Sequence, residues 1–183
     1  MENLDGSERV MVISPHPDDV DFGCSGTLAR WRRMGVDITY VICTSGDKGA
    51  DFPAAPESIA EMREKEQLAA AEIVGVRKVI FLRLKDGELE NNREFRKTLV
   101  RVLRQYRPDV VLTMDPANVR FENVYVSHAD HRATALAAFD AIYPAARNRN
   151  FFPELLEEGL LPHAVKWIYF FGTADPNTWI DIS

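Results

Sequence analysis

The sequence predicts an α/β fold: an open, mainly parallel sheet sandwiched between helices. Three observations carry this. Short apolar runs rich in β-branched residues recur at 10–14, 38–43, 79–82, 110–113 and 164–170. Longer segments with helical patterning lie between them, at 25–33, 56–74, 92–106 and 128–145. The runs are continuous rather than alternating, as expected of strands buried on both faces of a parallel sheet. Strand–helix alternation then implies right-handed crossovers and a layered sandwich. No repeat, low-complexity tract or linker interrupts the 183 residues, so one domain, 1–183, with a substantial core is expected.

Taken in order, Val10-Met11-Val12-Ile13 forms the first strand and runs into the polar turn Ser14-Pro15-His16-Pro17-Asp18-Asp19. The first helix begins near Ser25. In the second, Ile59, Met62, Ala69, Ala70 and Ile73 fall on one stripe, which Glu66 interrupts. In the third, Leu99, Val102, Leu103 and Tyr106 do the same. The longest irregular stretches are 45–56, 115–127 and 147–163. Sites in such sheets form outside the carboxyl ends of the strands. Four strand ends carry polar loops that can converge there: 14–19, 44–47, 85–87 and 115–116.

Composition narrows the class. Hydrophobic residues make up 46% and charged residues 27%, an ordinary soluble balance. A net charge of −6 argues against nucleic acid as a generic electrostatic partner. No apolar run approaches the roughly 18 residues of a membrane span. The opening segment MENLDGSERV is acidic and polar, unlike a secretory signal. Cys24 and Cys43 are the only cysteines, too few for a disulfide scaffold or a four-thiolate metal site. A cytoplasmic protein with both thiols reduced is expected.

The chemistry lies in two clusters, which hold three of the four histidines. His16 and Asp19 stand three residues apart on a loop stiffened by Pro15 and Pro17. A distant segment, SHADHR, supplies His128, Asp130, His131 and Arg132. Two histidines and a carboxylate make a metal site with a position left open for a catalytic water. Such a site also explains two adjacent acids. If Asp19 ligates a dication, Asp18 no longer sits beside an uncompensated charge and is free to act as a base. Spacing does not say which of His128 and His131 ligates. Simpler roles compete: Asp18 or Asp19 as a helix cap, and Ser127-x-x-Asp130 as a capping box. The glycine-rich GCSG at 23–26 has neither dinucleotide nor P-loop spacing and reads as close packing of helix on sheet. Cys24 reads as a small buried residue, Arg63–Glu66 as a solvated helix face, and His163 as a polar loop residue.

At these residues the chain resembles a family. PHPDDVDFGCSGTLA with a distant HADH is similar to the LmbE-like, PIG-L type zinc-dependent N-deacetylases. The similarity extends through TSGDKG, Arg63 with Glu66, FLRLKDGEL, RPDVVLTMDP and the tail ending in WIDIS. The resemblance implies a Rossmann-like three-layer sandwich and removal of an acetyl group from the amide nitrogen of an N-acetylated amino sugar or its glycoside. It makes His16, Asp19 and His131 the metal ligands, with Zn2+ as the default and Fe2+ or another divalent ion compatible with the same donors. It makes Asp18 the general base, His128 the group that stabilises the oxyanion or protonates the leaving amine, and Asp130 a residue that orients a histidine. Arg63 and Asp86 match positions near the sugar. It implies a small-molecule N-acetyl amino-sugar substrate and a homo-oligomer. Val20 and Asp21 stand where many relatives place Glu after the second aspartate, and Ala129 where Pro is common. Relatives continue past WIDIS, so a domain shortened at its C-terminal end is expected. Two rival classes are a metal-dependent phosphoesterase and a catalytically silent binding or scaffold member. The first wants a second metal, for which too few ligands remain.

Overall fold

A five-stranded sheet in the order β3-β2-β1-β4-β5, every pair parallel, forms the centre of the computed structural model. The structure describes residues 4, 6–50, 52–119 and 127–183. Its elements are β1 (Arg9–Ser14), α1 (Asp19–Gly23), α2 (Ser25–Arg33), β2 (Asp37–Thr44), α3 (Pro56–Val74), β3 (Lys78–Leu84), α4 (Arg93–Tyr106), β4 (Val110–Met114), α5 (Ala129–Asp140), α6 (Glu154–Glu157) and β5 (Trp167–Phe171).

Side-chain alternation splits the strands between two cores. Val10 and Val12 of β1 and Ile38, Tyr40 and Ile42 of β2 pack with Val20, Leu28, Trp31 and Ala71 from α1, α2 and α3. Met11, Ile13, Val41 and Cys43 face the other way, toward Leu99, Val100 and Leu103 of α4 and Ala137 and Ala138 of α5. This is the three-layer α/β sandwich expected. Strands β1, β2 and β4 are buried along nearly their whole length, while β3 and β5, at the edges, are half-buried. The continuous apolar runs follow from this double burial.

Several local expectations are corrected. A short helix, α1, precedes the one expected from Ser25. The helix expected over 128–145 is regular only through Asp140. Beyond it the chain forms an irregular turn at Ala141–Ala146, and Tyr143 takes extended angles before Pro144. Proline disfavours helical angles in the residue it follows, which ends the helix there. The stripe expected on α3 does not form: its buried residues are Ile59, Gln67 and Ala71, while Ile73 is 88% exposed. His163 lies in a loop as expected but is buried there, with Nε2 2.6 Å from the Pro108 carbonyl. The stretch expected to be irregular at 115–127 lies partly outside the described residues.

The packing of GCSG on the sheet is borne out at Gly23, whereas Gly26 packs on the tail residue Ile182. A Cβ on Gly23 would come within 2.6 Å of the Phe171 ring, and one on Gly26 within 2.8 Å of Ile182. From β1 the chain steps outward to β2 and β3, then crosses to the other side for β4 and β5. The crevice between β1 and β4 is thus a topological switch point, and the turn after β1 opens into it.

Candidate active site

The turn after β1 is clamped at both prolines. The Pro15 carbonyl accepts from the Thr44 N–H at 2.8 Å and the Thr44 hydroxyl at 3.0 Å. The Pro17 carbonyl accepts from Arg63 Nη2 at 2.8 Å. Between them, the His16 N–H donates to Asp19 Oδ2 at 2.8 Å, which fixes the carboxylate under the ring. The three-residue spacing therefore works as a closed turn.

His16 faces two ways. Its Nδ1 lies 3.4 Å from Asp19 Oδ2. Its Nε2 lies 3.1 Å from Asp130 Oδ2 and 3.1 Å from Asp86 Oδ1. Asp130 is fully buried and also accepts the Gly87 N–H at 2.7 Å and the Leu89 N–H at 3.1 Å. Asp86, also buried, accepts the Lys48 N–H at 2.9 Å. Burial opposes a charge on His16, but Asp19, Asp130 and Asp86 outweigh it and raise its pKa above the ordinary 6.5. A carboxylate behind one ring nitrogen fixes the tautomer and leaves the other nitrogen's lone pair for a metal.

His131 completes the front of the site, with Nε2 3.1 Å from Asp19 Oδ1. Burial alone would raise the Asp19 pKa, but His131 and His16 together hold it down at about 2. His128 is the N-cap of α5, and its Nδ1 accepts the Asp130 N–H at 3.2 Å. In the neutral ring that bond places the proton on Nε2, leaving His128 a donor at its outer end. The capping box does not form. His128 caps the helix, and the Asp130 side chain turns inward to loop N–H groups and His16. The three histidine rings stand with centroids 5.0 to 5.5 Å apart.

Asp18 occupies the N-cap position of α1 without making a side-chain cap. Its carboxylate meets Arg63 Nη2 at 3.0 Å. Burial raises its pKa above the ordinary 3.8, Arg63 opposes that shift, and neighbouring Asp19 adds to it. Arg63 also donates to the Gly46 carbonyl at 3.1 Å, and a Cβ on Gly46 would sit 2.0 Å from its guanidinium nitrogen. Only a glycine lets the guanidinium lie that close. Arg63 is thus no part of a solvated face, and neither is Glu64, which accepts from Ser45 Oγ at 2.6 Å and pairs with Arg83. The Cys24 thiol, pushed up to about 12 by burial, has no thiolate character for a nucleophile.

Among the described residues two groups could hold a cation: His16, Asp19 and His131, and the overlapping His16, His128 and Asp130, each with ligand atoms within 4.8 Å of one another. Geometry favours the first. Both Asp130 oxygens already serve backbone N–H groups, and His128 spends Nδ1 on its cap, whereas Asp19 turns an oxygen to each of His16 and His131. The nitrogen–nitrogen–oxygen set and the carboxylates behind His16 fit a divalent ion such as zinc. Sequence reasoning missed Gln67, which is buried and joins Asp18 to Asp21. Its spacing of four from Arg63 and from Ala71 was the available signal.

The family described as PIG-L, GlcNAc-PI de-N-acetylase, matches residues 11–142. A diacetylchitobiose deacetylase of Thermococcus kodakarensis is 36% identical over all of this chain and 66% of its own. A 1D-myo-inositol 2-acetamido-2-deoxy-alpha-D-glucopyranoside deacetylase of Kineococcus radiotolerans is 29% identical over 76% of this chain and 48% of its own. The structure of an N,N'-diacetylchitobiose deacetylase from Pyrococcus horikoshii, complexed with its inhibitor MPG, superposes with a TM-score of 0.89 at 35% identity. That match covers 96% of this chain and 64% of the other. The chain thus spans roughly half to two thirds of the length of these relatives. Among the described residues no helix is long and apolar enough to cross a membrane. The paired histidine–aspartate clusters, the sandwich and the family match together place the chain in the PIG-L, GlcNAc-PI de-N-acetylase, family.

Proposed function

We propose that this chain removes the acetyl group from the amide nitrogen of an N-acetylated amino sugar or its conjugate, with zinc held by His16, Asp19 and His131. One observation carries the reading: Asp18 stands beside a convergent His, Asp, His set with its own carboxylate not spent on that set. Bound there, zinc supplies Lewis acidity to the acetyl carbonyl and the attacking water. Asp18 takes the proton from that water, aimed by Arg63 and kept basic by its partly buried setting. His128 donates from Nε2 to the oxyanion of the tetrahedral intermediate. Asp18 or His128 then returns a proton to the nitrogen, because an amine leaves only when protonated. Asp130 and Asp86 hold the His16 ring through its far nitrogen. The deacetylases among its relatives support the amide as the bond broken.

The test is acetate release from N,N'-diacetylchitobiose by zinc-loaded protein, with and without chelator. Asp18→Asn should keep the metal and lower kcat by roughly 10²–10⁴-fold. His16→Ala should lose most of the metal. An Asp18→Asn variant turning over at the wild-type rate would reduce Asp18 to a structural role. No chelator-sensitive acetate release from any N-acetyl amino sugar would remove the deacetylase reading.

A further inference from the structure

The candidate metal ligands divide the strand-end crevice into two halves of different chemistry. On the β2–β3 side stand Asp18, Arg63 and Asp86, tied to the backbone of Gly46 and Lys48. On the β4–β5 side lies a cavity of about 190 Å3. Asp19 and His131 form one of its walls, and Phe22, Met114 and Phe171 supply its apolar lining. Three of its polar members are engaged with their own loops. Asp115 accepts the Ala117 N–H, Asn118 donates to the Gly172 carbonyl, and Arg132 donates to the Ser127 carbonyl. Phe22 is 91% exposed at the cavity rim.

An amide bound at the metal has two substituents, and proton traffic decides which way each points. The nitrogen must lie within reach of Asp18 or His128, and neither of these lines the cavity. The amino sugar therefore lies on the polar side and the acyl carbon chain faces Phe22, Met114 and Phe171. A methyl group is about the size of a water molecule, whose share of liquid volume is about 30 Å3. An acetyl methyl leaves most of the cavity unfilled.

We propose that this cavity is an acyl pocket and that the chain accepts N-acyl groups longer than acetyl, with butyryl preferred over acetyl. The inference rests on the deacetylase reading for the orientation of the amide. Its test does not depend on turnover alone. Zinc-loaded protein is titrated by calorimetry with acetate, propionate and butyrate, the acid products of the series. Amine release is measured in parallel from N-acetyl, N-propionyl and N-butyryl glucosamine disaccharides. Each buried methylene is worth about fourfold, so butyrate should bind at least about tenfold more tightly than acetate, and kcat/KM should follow the same rank. Phe22→Ala, at a position too exposed to endanger the fold, should lower the butyrate-to-acetate ratio severalfold. Met114→Trp, which fills the cavity from the end of β4, should reverse the preference. Equal affinity along the series, or a ratio that neither variant moves, overturns the pocket even if acetyl sugars are hydrolysed. If the acids show the trend while no N-acyl sugar releases amine, the pocket stands and the deacetylase reading falls.

Discussion

Asp18 is held in a backbone conformation that few residues with a side chain adopt, with φ at +91°. Such a conformation costs on the order of 1–3 kcal/mol and persists only where the surroundings over-determine it. Arg63 grips the carboxylate and the preceding carbonyl, and Gln67 grips the backbone: its Oε1 accepts the Asp18 N–H at 2.9 Å. The other end of that amide donates to Asp21 Oδ2 at 3.1 Å, so Gln67 has a donor and an acceptor each in use. Gln67→Leu should release the loop and lower kcat by roughly 10²-fold, the scale of a 1 Å misplacement. KM and bound metal should change little, because the Gln67 amide bonds Asp18 and Asp21 rather than His16, Asp19 or His131. Gln67→Glu sets a carboxylate against Asp21 and should be as slow. Adding Asp21→Asn restores the donor on the other partner and should recover most of the rate. Steady-state kinetics with metal analysis on the three variants decides. A double variant no faster than Gln67→Glu would mean that this amide does not position Asp18.

Helix α3 shows what periodicity in the sequence can and cannot reveal. A stripe of Ile59, Met62, Ala69, Ala70 and Ile73 is the apolar reading, but the helix buries Ile59, Gln67 and Ala71 and turns Arg63 inward with them. Hydrophobic patterning assumes that the buried face is the apolar one, and this face instead carries the two side chains that hold Asp18. The strands carried no such ambiguity, since burial on both faces left continuous apolar runs. The two clusters, His16 with Asp19 and His128 with His131, were legible because metal ligation restricts residue types, and the choice of His131 over His128 rested on the family resemblance, whereas glutamine as a strut has no such signature. Helix α4 makes the same point with Arg104, only 2% exposed among aliphatic neighbours. It donates to the carbonyls of Ala145, Ala146, Asn148 and Phe151, which the break at Tyr143 leaves beyond the end of α5. Arg104→Met should destabilise the chain by about 2–4 kcal/mol, since buried carbonyls left without donors cost about 1–3 kcal/mol each and partly rearrange. A chemical-denaturation midpoint matching the wild type would show that the turn satisfies those carbonyls by itself.

At the scale of the whole molecule, the two ends of the sheet divide the work. The carboxyl ends of the strands hold the candidate chemistry. The opposite end is joined by Asp109, which precedes β4 and ties β1 and β5 to it. Its Oδ2 accepts the Arg9 N–H at 3.1 Å, its Oδ1 pairs with Lys166 at 3.0 Å, and its own N–H donates to the Arg9 carbonyl at 2.8 Å. Partial burial alone would raise the Asp109 pKa, but the Arg9 N–H and the Lys166 ammonium together lower it below the ordinary 3.8. A group whose pKa is lower in the folded chain stabilises that chain fully above its unfolded pKa. The contribution is then lost as pH falls through the folded value. Asp109→Asn should therefore cost about 1 kcal/mol at neutral pH, leave acetate release intact because the site is at the other end of the sheet, and cost progressively less below about pH 4. Acid also protonates the carboxylates of the site, but it does so in both chains. The two sites share no partners, so the difference between wild type and variant isolates Asp109. Urea midpoints of the two chains at pH 7, 5, 4 and 3 measure that difference. A gap that stays constant or widens on acidification would show that the Asp109 charge does not hold this end of the sheet.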